Sequence, residues 1–242
     1  MGCKFCASTI GGLVRNLTRG EILSQVLAVN RLLGGTVKER KVTNLVLMGS
    51  GEPLDNYEEV VAFLRLVSSA EGLNVSPRNI SLSTSGIAPK MRALAEEGLP
   101  VNLTVSLHEP FDGERQEIMP VAKAYAVEEL LSACSYYFEK TGRRYIFEYT
   151  LIKGKNDGAR HAAELVRLLR GRPCLVNVIR LNEVKESGLS ATTERDARSF
   201  ISKLEEGGLT ATLRRSVGSD IEGACGQLRR KYMEKPQPVL GE

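Results

Sequence analysis

Short apolar runs rich in β-branched residues alternate with amphipathic helical segments along most of this chain. Six such runs predict strands at residues 42–48, 79–82, 101–105, 144–150, 175–181 and 209–214. Nearly continuous apolar strands separated by helices are typical of a parallel sheet that helices cover. The pattern therefore predicts repeated βα units of the α/β class, and a length of 242 residues fits one large domain.

Two of the helical segments have an apolar stripe that should face the sheet. The stripes consist of Ile22, Val26, Val29 and Leu33 in one segment and of Leu130, Cys134 and Phe138 in the other. Cys134 is therefore interpreted as a buried small hydrophobic residue, and so is Cys174, which begins a predicted strand. We expect residues 1–235 to form the domain and residues 236–242, with two prolines, to form a flexible tail.

Composition restricts the class of protein. Hydrophobic residues make up 42% and charged residues 26% of the chain, as in ordinary soluble globular proteins. The five scattered cysteines do not form a disulfide framework. No apolar run approaches the ~20 residues that span a bilayer, and the amino terminus lacks an apolar signal segment, so we expect a cytoplasmic protein with no membrane partner. The net charge of +4 permits an RNA partner without establishing one.

Polar or glycine-rich clusters follow five of the predicted strands. They lie at residues 49–53, 83–86, 106–108 and 182–183 and around Cys225. In a parallel sheet the carboxyl ends of the strands meet along one rim, where ligands bind. A single cluster is common turn chemistry, but five clusters on one rim predict a binding site.

Two cysteines near the amino terminus, Cys3 and Cys6, are spaced to share a ligand. Closely spaced thiolates let a short loop wrap an iron–sulfur cluster. A zinc ion is an alternative, although it usually needs four protein ligands, and a thioredoxin-type redox dithiol is another. From this motif alone the three interpretations remain open.

The other rim residues each have a functional and a structural interpretation. Gly51 would let the backbone approach a ligand and the Glu52 carboxylate would hold an ammonium group, unless the segment is only a turn before a helix. Ser83 and its neighbours offer hydroxyls to a ribose or carboxylate, or they cap the following helix. His108 contacts a ligand or is a hydrogen-bonded structural histidine, and the residues alone favour the second interpretation. Asn182 is equally ambiguous.

Cys225 differs from the other cysteines in its surroundings. It lies in a loop next to glycine, and arginines occur on both sides of the loop. Nearby positive charge lowers the pKa of a thiol and makes it a better nucleophile. The sequence therefore predicts a nucleophilic Cys225, although the basic residues around it also fit a solvated surface.

Six short motifs occur in an order that identifies a resemblance to a known family. They are GCKFC at residues 2–6, RNLT at 15–18, GEPL at 51–54, LSTSG at 82–86, SLH at 106–108 and DIEGACGQL at 220–228. Over nearly its whole length the chain resembles the RlmN-type radical S-adenosylmethionine (SAM) adenine methyltransferases. The resemblance implies methylation of carbon 2 of one adenosine in 23S rRNA and of an anticodon-loop adenosine in some tRNAs. The related Cfr type methylates carbon 8, and Pro53 and residues 84–86 favour the carbon-2 branch.

The resemblance also implies a fold and a set of site residues. The fold is the radical SAM partial (β/α)6 barrel, in which Cys3 and Cys6 would be two of three ligands of a 4Fe-4S cluster and Phe5 would lie beside the SAM adenine. Cys225 would be methylated by one SAM, and a 5′-deoxyadenosyl radical from a second SAM would abstract hydrogen from that methyl group. An electron donor such as flavodoxin or ferredoxin is implied. The SAM-binding residues would be Gly51, Glu52, Ser83, Ser106, Leu107, His108 and Asn182.

The chain departs from the family pattern at its amino terminus. The family motif is C-x3-C-x2-C, and only its last two cysteines are here, because the first would precede Met1. The family's first barrel strand, N-terminal helical domain, general base and second catalytic cysteine would also lie upstream. We therefore expect a truncated form with an incomplete cluster site, whose own methylation activity is weak or absent. An inactive fragment that binds RNA or SAM weakly is the alternative.

Overall fold

The computed structural model describes residues 1–9 and 12–214, except for the side chain of residue 185. Six strands form a single sheet in sequence order, and each strand pairs in parallel with its neighbour. The strands are β1 (Leu45–Leu47), β2 (Ile80–Thr84), β3 (Asn102–Ser106), β4 (Tyr145–Leu151), β5 (Cys174–Arg180) and β6 (Ala211–Leu213). The described part of β1 does not pair with that of β6, so the sheet is open. The prediction of an α/β partial barrel is confirmed.

Seven α-helices connect the described strands or flank them. They are α1 (Arg19–Leu32), α2 (Tyr57–Ser68), α3 (Ala88–Glu96), α4 (Asp112–Ile118), α5 (Val127–Thr141), α6 (Ala159–Leu169) and α7 (Glu194–Glu206). Helix α3 packs against α5, α1 against α2 and α6 against α7. This arrangement is the repeated βα unit that the alternating sequence pattern predicts.

The two faces of the sheet differ in chemistry because successive side chains on a strand point to opposite faces. On one face, Leu82, Val105 and Phe147 are fully buried in a core shared with the helices. On the other face, register pairs Ser106 with Glu148, and every second residue of the neighbouring strands is polar or only partly buried. We call this second face the polar face. It gives the sheet an interior surface suited to a polar ligand.

The six predicted strands are all present, but their bounds shift, and the strand predicted at residues 42–48 is shortened to Leu45–Leu47. The stripe on α5 is confirmed, since Leu130 and Cys134 are fully buried. The stripe predicted on α1 is partly wrong, because the side chains of Val29 and Leu33 are 50% and 57% exposed. Helix α1 packs chiefly on α2, so only its first turns reach the core. The side chains there are Ile22, Leu23, Val26 and Leu27.

Cys134 and Cys174 are buried free cysteines, as predicted. Within residues 1–9 and 12–214, no helix combines the length and the apolar character needed to cross a membrane. The cytoplasmic location predicted from the sequence stays a prediction. The tail at residues 236–242 lies outside the described residues.

Candidate functional site

The segment from Cys3 to Cys6 docks at the carboxyl-end rim of the sheet. The Lys4 backbone N–H donates to the Ile118 carbonyl at 3.0 Å, which ties the segment to the end of α4. The segment contributes to a small apolar cluster separate from the main core. The buried members of that cluster are Cys3, Ile118, Met119, Ile152 and Leu181. Because Ile152 and Leu181 directly follow β4 and β5, the two thiols lie over the ends of these strands.

A hydroxyl closes the turn that brings the two cysteines together. The Cys6 backbone N–H donates to the Cys3 carbonyl at 3.2 Å. The Thr9 hydroxyl donates to the Cys6 carbonyl at 2.8 Å and also lies 3.2 Å from the Cys3 carbonyl. Burial, and then the negative charge of the neighbouring Cys6, raise the pKa of the Cys3 thiol to about 11. Binding of a metal ion or an iron–sulfur cluster would displace the thiol proton.

The cysteine pair can provide two ligands to a metal group, but the described residues supply no third cysteine there. Cys134 and Cys174 belong to the main core. The one group of three potential ligands in residues 1–9 and 12–214 is Glu109, Glu114 and His161, which contains no cysteine. The donor set at the rim therefore suits part of a thiolate-ligated cluster and falls short of the four ligands of a structural zinc ion.

Phe5 and His108 form an aromatic pair between the cysteine segment and the end of β3. Their ring centroids lie 4.9 Å apart in a T-shaped arrangement. His108 is buried and has a φ of +55°, a left-handed conformation that is uncommon for a residue other than glycine. Its Nδ1 accepts a hydrogen bond from the Thr150 backbone N–H at 3.0 Å. His108 is thus a histidine with a structural hydrogen bond, as the sequence favours, and it also faces the site.

The protonation state of His108 follows from its surroundings. Burial, and then the positive charge of Arg115, lower the pKa of His108 to about 3. The imidazole is therefore neutral at physiological pH. Since Nδ1 accepts a hydrogen bond from Thr150, the ring proton is assigned to Nε2. His108 can offer a neutral N–H donor from Nε2.

Glu52 connects the loops that follow β1 and β2. Its carboxylate accepts a hydrogen bond from the Leu54 backbone N–H at 3.0 Å and another from the Ser85 backbone N–H at 2.6 Å. The first contact caps the 3₁₀ turn Pro53–Asn56, as the structural interpretation of this segment predicts. Burial raises the pKa of Glu52, and the two backbone hydrogen bonds oppose that shift. Gly51, with a φ of +122°, is exposed beside this carboxylate.

The serine cluster after β2 does not cap the next helix. Helix α3 follows Ile87, which makes no side-chain cap, and the Thr84 hydroxyl instead accepts a hydrogen bond from the Gly86 backbone N–H at 3.1 Å. The N-cap interpretation is therefore wrong, because the chain makes a local turn between the strand and the helix. Ser83 lies in β2 on the same face as Ser106, so the two hydroxyl side chains face the interior of the sheet.

Two buried side chains that sequence reasoning missed hold the residues around His108. Asn156 is fully buried; its amide donates to the His108 and Thr150 carbonyls at 2.7 Å each and accepts from the Ile152 backbone N–H at 2.7 Å. Its position in a loop that contains Gly, Asn and Asp indicated a turn but not these partners. Arg115 is also fully buried and donates to the Leu107 carbonyl at 3.0 Å.

Three of the predicted site residues remain to be located. Leu107 is fully buried under the rim, and Asn182 is exposed just after Leu181. Cys225 lies outside the described residues, so its role stays a prediction. The polar face near the rim also contains an ion pair that the sequence did not predict, in which Arg214 lies 3.2 Å from Glu148.

The structure brings thiols, a carboxylate, hydroxyls and a neutral histidine to one rim of the sheet. The profile of the Radical SAM superfamily matches residues 1–166. The chain belongs to the radical SAM superfamily. A 4Fe-4S cluster and SAM, the cofactors expected from the sequence, are the ones that members of this superfamily use.

Within the superfamily, the chain is similar in sequence to curated relatives that share one name. It is 52% identical over 235 residues to the "probable dual-specificity RNA methyltransferase RlmN" of Lachnoclostridium phytofermentans, covering 97% of this chain and 65% of the relative. It is also 52% identical over 234 residues to the protein of the same name from Clostridium perfringens strain 13, covering 97% of this chain and 66% of the relative. The chain thus spans slightly less than two thirds of the length of these relatives and is RlmN-like in sequence.

A solved structure supports the fold. The chain is similar to a radical SAM methyltransferase from Sphaerobacter thermophilus, with 44% sequence identity and a TM-score of 0.88. The superposition covers 93% of this chain and 66% of that protein. The open six-stranded sheet is therefore the radical SAM fold that the motifs predict.

Proposed function

We propose that the protein to which this chain belongs is a radical SAM RNA methyltransferase that acts on carbon 2 of an adenosine in 23S rRNA and in a tRNA anticodon loop. The similarity to proteins named RlmN over 97% of the chain supports this proposal. The observation that carries it is the docking of the Cys3–Cys6 segment against His108. The Cys3–Cys6 segment thereby lies at the same carboxyl-end rim as Glu52, Ser83 and Ser106, which supports the proposal.

The cysteine segment would hold the cluster and the rim would hold SAM, with Phe5 beside the SAM adenine. Cys3 and Cys6 would bind two irons of a 4Fe-4S cluster, and a third ligand would be required from elsewhere. SAM would lie along the rim, with its aminocarboxyl end at Gly51 and Glu52. When bound, the cluster and SAM together supply a strong hydrogen-atom abstractor that no amino-acid side chain can replace.

The chain's own residues would bind and orient SAM. The Glu52 carboxylate, which accepts hydrogen bonds from two backbone N–H groups, would hold the ammonium group of SAM through charge-assisted hydrogen bonds. His108 offers its Nε2 proton, and the hydroxyls of Ser83 and Ser106 offer hydrogen bonds from the polar face. Asn182 would close the site at the end of β5. The apolar cluster around Cys3 would exclude water from the cysteine segment.

The target adenine would have to leave its base stack to reach the rim, and bases in loops are the easiest to expose. Cys225 would carry the methyl group, because carbon 2 of adenine is not nucleophilic. An electron donor such as flavodoxin or ferredoxin belongs to the same proposal. Carbon-8 methylation remains the alternative, supported only by the shared motifs of the two branches.

The test uses two proteins, this 242-residue chain and the product of the full reading frame that contains it in the source genome. Each is reconstituted with iron and sulfide without oxygen and incubated with SAM, a reductant and 23S rRNA or tRNA. Mass spectrometry of the digested RNA distinguishes 2-methyladenosine from 8-methyladenosine. We expect 2-methyladenosine from the longer protein and little or none from this chain.

Each outcome decides between the interpretations. Formation of 8-methyladenosine would move the protein to the carbon-8 branch. If neither protein forms a methylated base but both bind SAM, the protein binds SAM and lacks the proposed methyltransferase activity. A Cys225→Ala variant of the longer protein is the control, and activity that survives this change would refute the assigned role of Cys225.

A further inference from the structure

We propose that Arg115 is a positioning residue for SAM binding, whose buried guanidinium fixes the loops after β2 and β3 relative to each other. This inference rests on the proposed function, because it concerns the same site. Arg115 is not one of the residues predicted to bind SAM. It lies in α4, and its side chain is fully buried.

The guanidinium of Arg115 donates to carbonyls from separate parts of the rim. Its Nε donates to the Leu107 carbonyl at 3.0 Å. Its Nη2 donates to the Ser85 carbonyl at 3.1 Å and to the Ser106 carbonyl at 3.2 Å. A longer contact of 3.4 Å joins Nη1 to the Tyr125 carbonyl. One side chain therefore links the end of β3 to the loop that follows β2.

Two of the residues that Arg115 contacts also donate backbone hydrogen bonds to other parts of the site. The Ser85 backbone N–H donates to the Glu52 carboxylate at 2.6 Å, and the Leu107 backbone N–H donates to the Glu148 carbonyl at 3.1 Å. A shift of the guanidinium would therefore move the Glu52 carboxylate, through Ser85, and the predicted SAM-binding segment 106–108. The orientation of several binding groups depends on one buried side chain.

The loop after β2 packs closely against Arg115. Gly86 has a φ of +104°, and a Cβ at this position would lie 2.6 Å from Leu130 Cδ1 and 3.6 Å from Arg115 Nη2. The backbone thus approaches the guanidinium and α5, and a larger residue at this position would be strained at this φ and would require Leu130 to shift. The loop has little space to adopt a second conformation.

The charge of Arg115 is balanced by carbonyl dipoles and not by a contacting carboxylate. Burial lowers the pKa of Arg115 to about 10, and the charge of Asp112 opposes that shift. The side chain therefore remains protonated at neutral pH, and among the described residues it forms no ion pair within 4.0 Å. Buried charges are usually paired with an opposite charge. A guanidinium buried without such a partner indicates that the planar arrangement of its N–H donors is what this position requires.

A lysine cannot reproduce this arrangement. The guanidinium presents five N–H donors in one plane, and its three nitrogens all donate here, whereas an ammonium group carries its three donors on a single nitrogen. Arg115→Lys keeps the charge but cannot bridge the ends of both loops. The matched control is Arg172→Lys at the amino end of β5, where half-buried Arg172 donates to the Leu168 carbonyl at 2.9 Å and to the Ser135 hydroxyl at 2.9 Å.

The experiment measures SAM affinity by calorimetry, amide hydrogen exchange and melting temperature for the wild-type chain and both variants. We expect Arg115→Lys to weaken SAM binding by about tenfold, comparable to one lost hydrogen bond. We also expect faster exchange in residues 84–87 and 106–109 of Arg115→Lys. Arg172→Lys should leave both quantities at the wild-type level, even if its melting temperature falls. Equal SAM affinity and equal exchange in the two variants would overturn the inference.

A second measurement does not depend on whether Arg115→Lys folds. In wild-type protein with nitrogen-15-labelled arginine, the Arg115 Nε–H should be protected from solvent exchange and its resonance should move when SAM is added. The Arg172 resonance should not move. An Arg115 resonance that SAM leaves unchanged would overturn the positioning role. If the wild-type chain binds no SAM, the proposal that this chain contains a SAM site is refuted. The positioning of the loops is tested separately, because unchanged hydrogen exchange of the loops in Arg115→Lys would refute it.

Discussion

The ring of Phe5 lies edge-on against the ring of His108, with the centroids 4.9 Å apart. The contact joins the cysteine segment to the end of β3, so it couples the proposed cluster site to the proposed SAM site. His108 is fixed by the Thr150 backbone N–H and by its own buried position. Phe5 is partly buried and also packs against the apolar cluster around Cys3.

We predict that Phe5→Leu weakens SAM binding by about threefold to tenfold, because an aromatic pair contributes about 0.5–1.5 kcal/mol beyond area burial. Calorimetric titration of SAM measures the change. Phe111→Leu is the control, since Phe111 forms a similar T-shaped pair with His161, with the ring centroids 5.6 Å apart, and neither residue is predicted to bind SAM. Equal losses of affinity in the two variants would argue against a specific role of Phe5.

We predict that Asn156→Ala lowers the free energy of unfolding by about 2–4 kcal/mol, since it removes three buried hydrogen bonds and leaves their backbone partners unsatisfied. Urea denaturation measures this quantity. Asn44→Ala, at an exposed position, should change it by no more than about 0.5 kcal/mol. A comparable effect of the two substitutions would mean that the loop after β4 rearranges freely.

The strands were predictable because every second residue of a strand lies on the helix-covered face, and the residues on that face are apolar. Leu82, Val105 and Phe147 belong to this face, and each lies within a predicted strand. The position of the rim followed from the parallel arrangement alone. The error on α1 arose because an apolar stripe specifies a face but not how far along the helix that face is covered, so exposed Val29 was included.

The contacts within the site were not predictable, because they join residues far apart in sequence. Glu52 and Ser85 are 33 positions apart, and His108 and Asn156 are 48 positions apart. A charged residue on a short polar helix is usually interpreted as solvated, so no pattern in the sequence indicated that Arg115 is buried. Only the packing of α4 under the rim places this guanidinium against the strand ends.

A buried carboxyl beside the site predicts a pH dependence of stability. Burial raises the pKa of Glu109 from its ordinary 4.5 to about 7. Glu114, with its partner Arg160, and His161 face it, and His161 Nε2 lies 3.7 Å from Glu109 and 3.2 Å from Glu114. Between pH 4.5 and about 7 the folded state binds more protons at Glu109 than the unfolded state does. This carboxyl therefore reduces stability as pH rises through that range.

Glu109→Gln should remove this contribution, so the variant should lose less stability than the wild type between pH 4.5 and about 7. Urea denaturation at several pH values gives the slopes, and the difference between the proteins isolates Glu109 from the other titrating groups. Glu128→Gln, at an exposed position in the first turn of α5, is the control. Parallel curves for the wild type and Glu109→Gln would show that Glu109 is ionised over the whole range.

Iron retention tests the cysteine segment separately from SAM binding. Because the described residues offer two thiols at the rim, we predict that the chain, reconstituted with iron and sulfide and then desalted, retains much less than one 4Fe-4S cluster per molecule. Cys3→Ser should reduce the retained iron to background, whereas Cys174→Ser, in the main core, should not change it. Iron and sulfide analysis with electron paramagnetic resonance measures both quantities. A full cluster retained by the wild-type chain would show that a third ligand completes the site within these 242 residues.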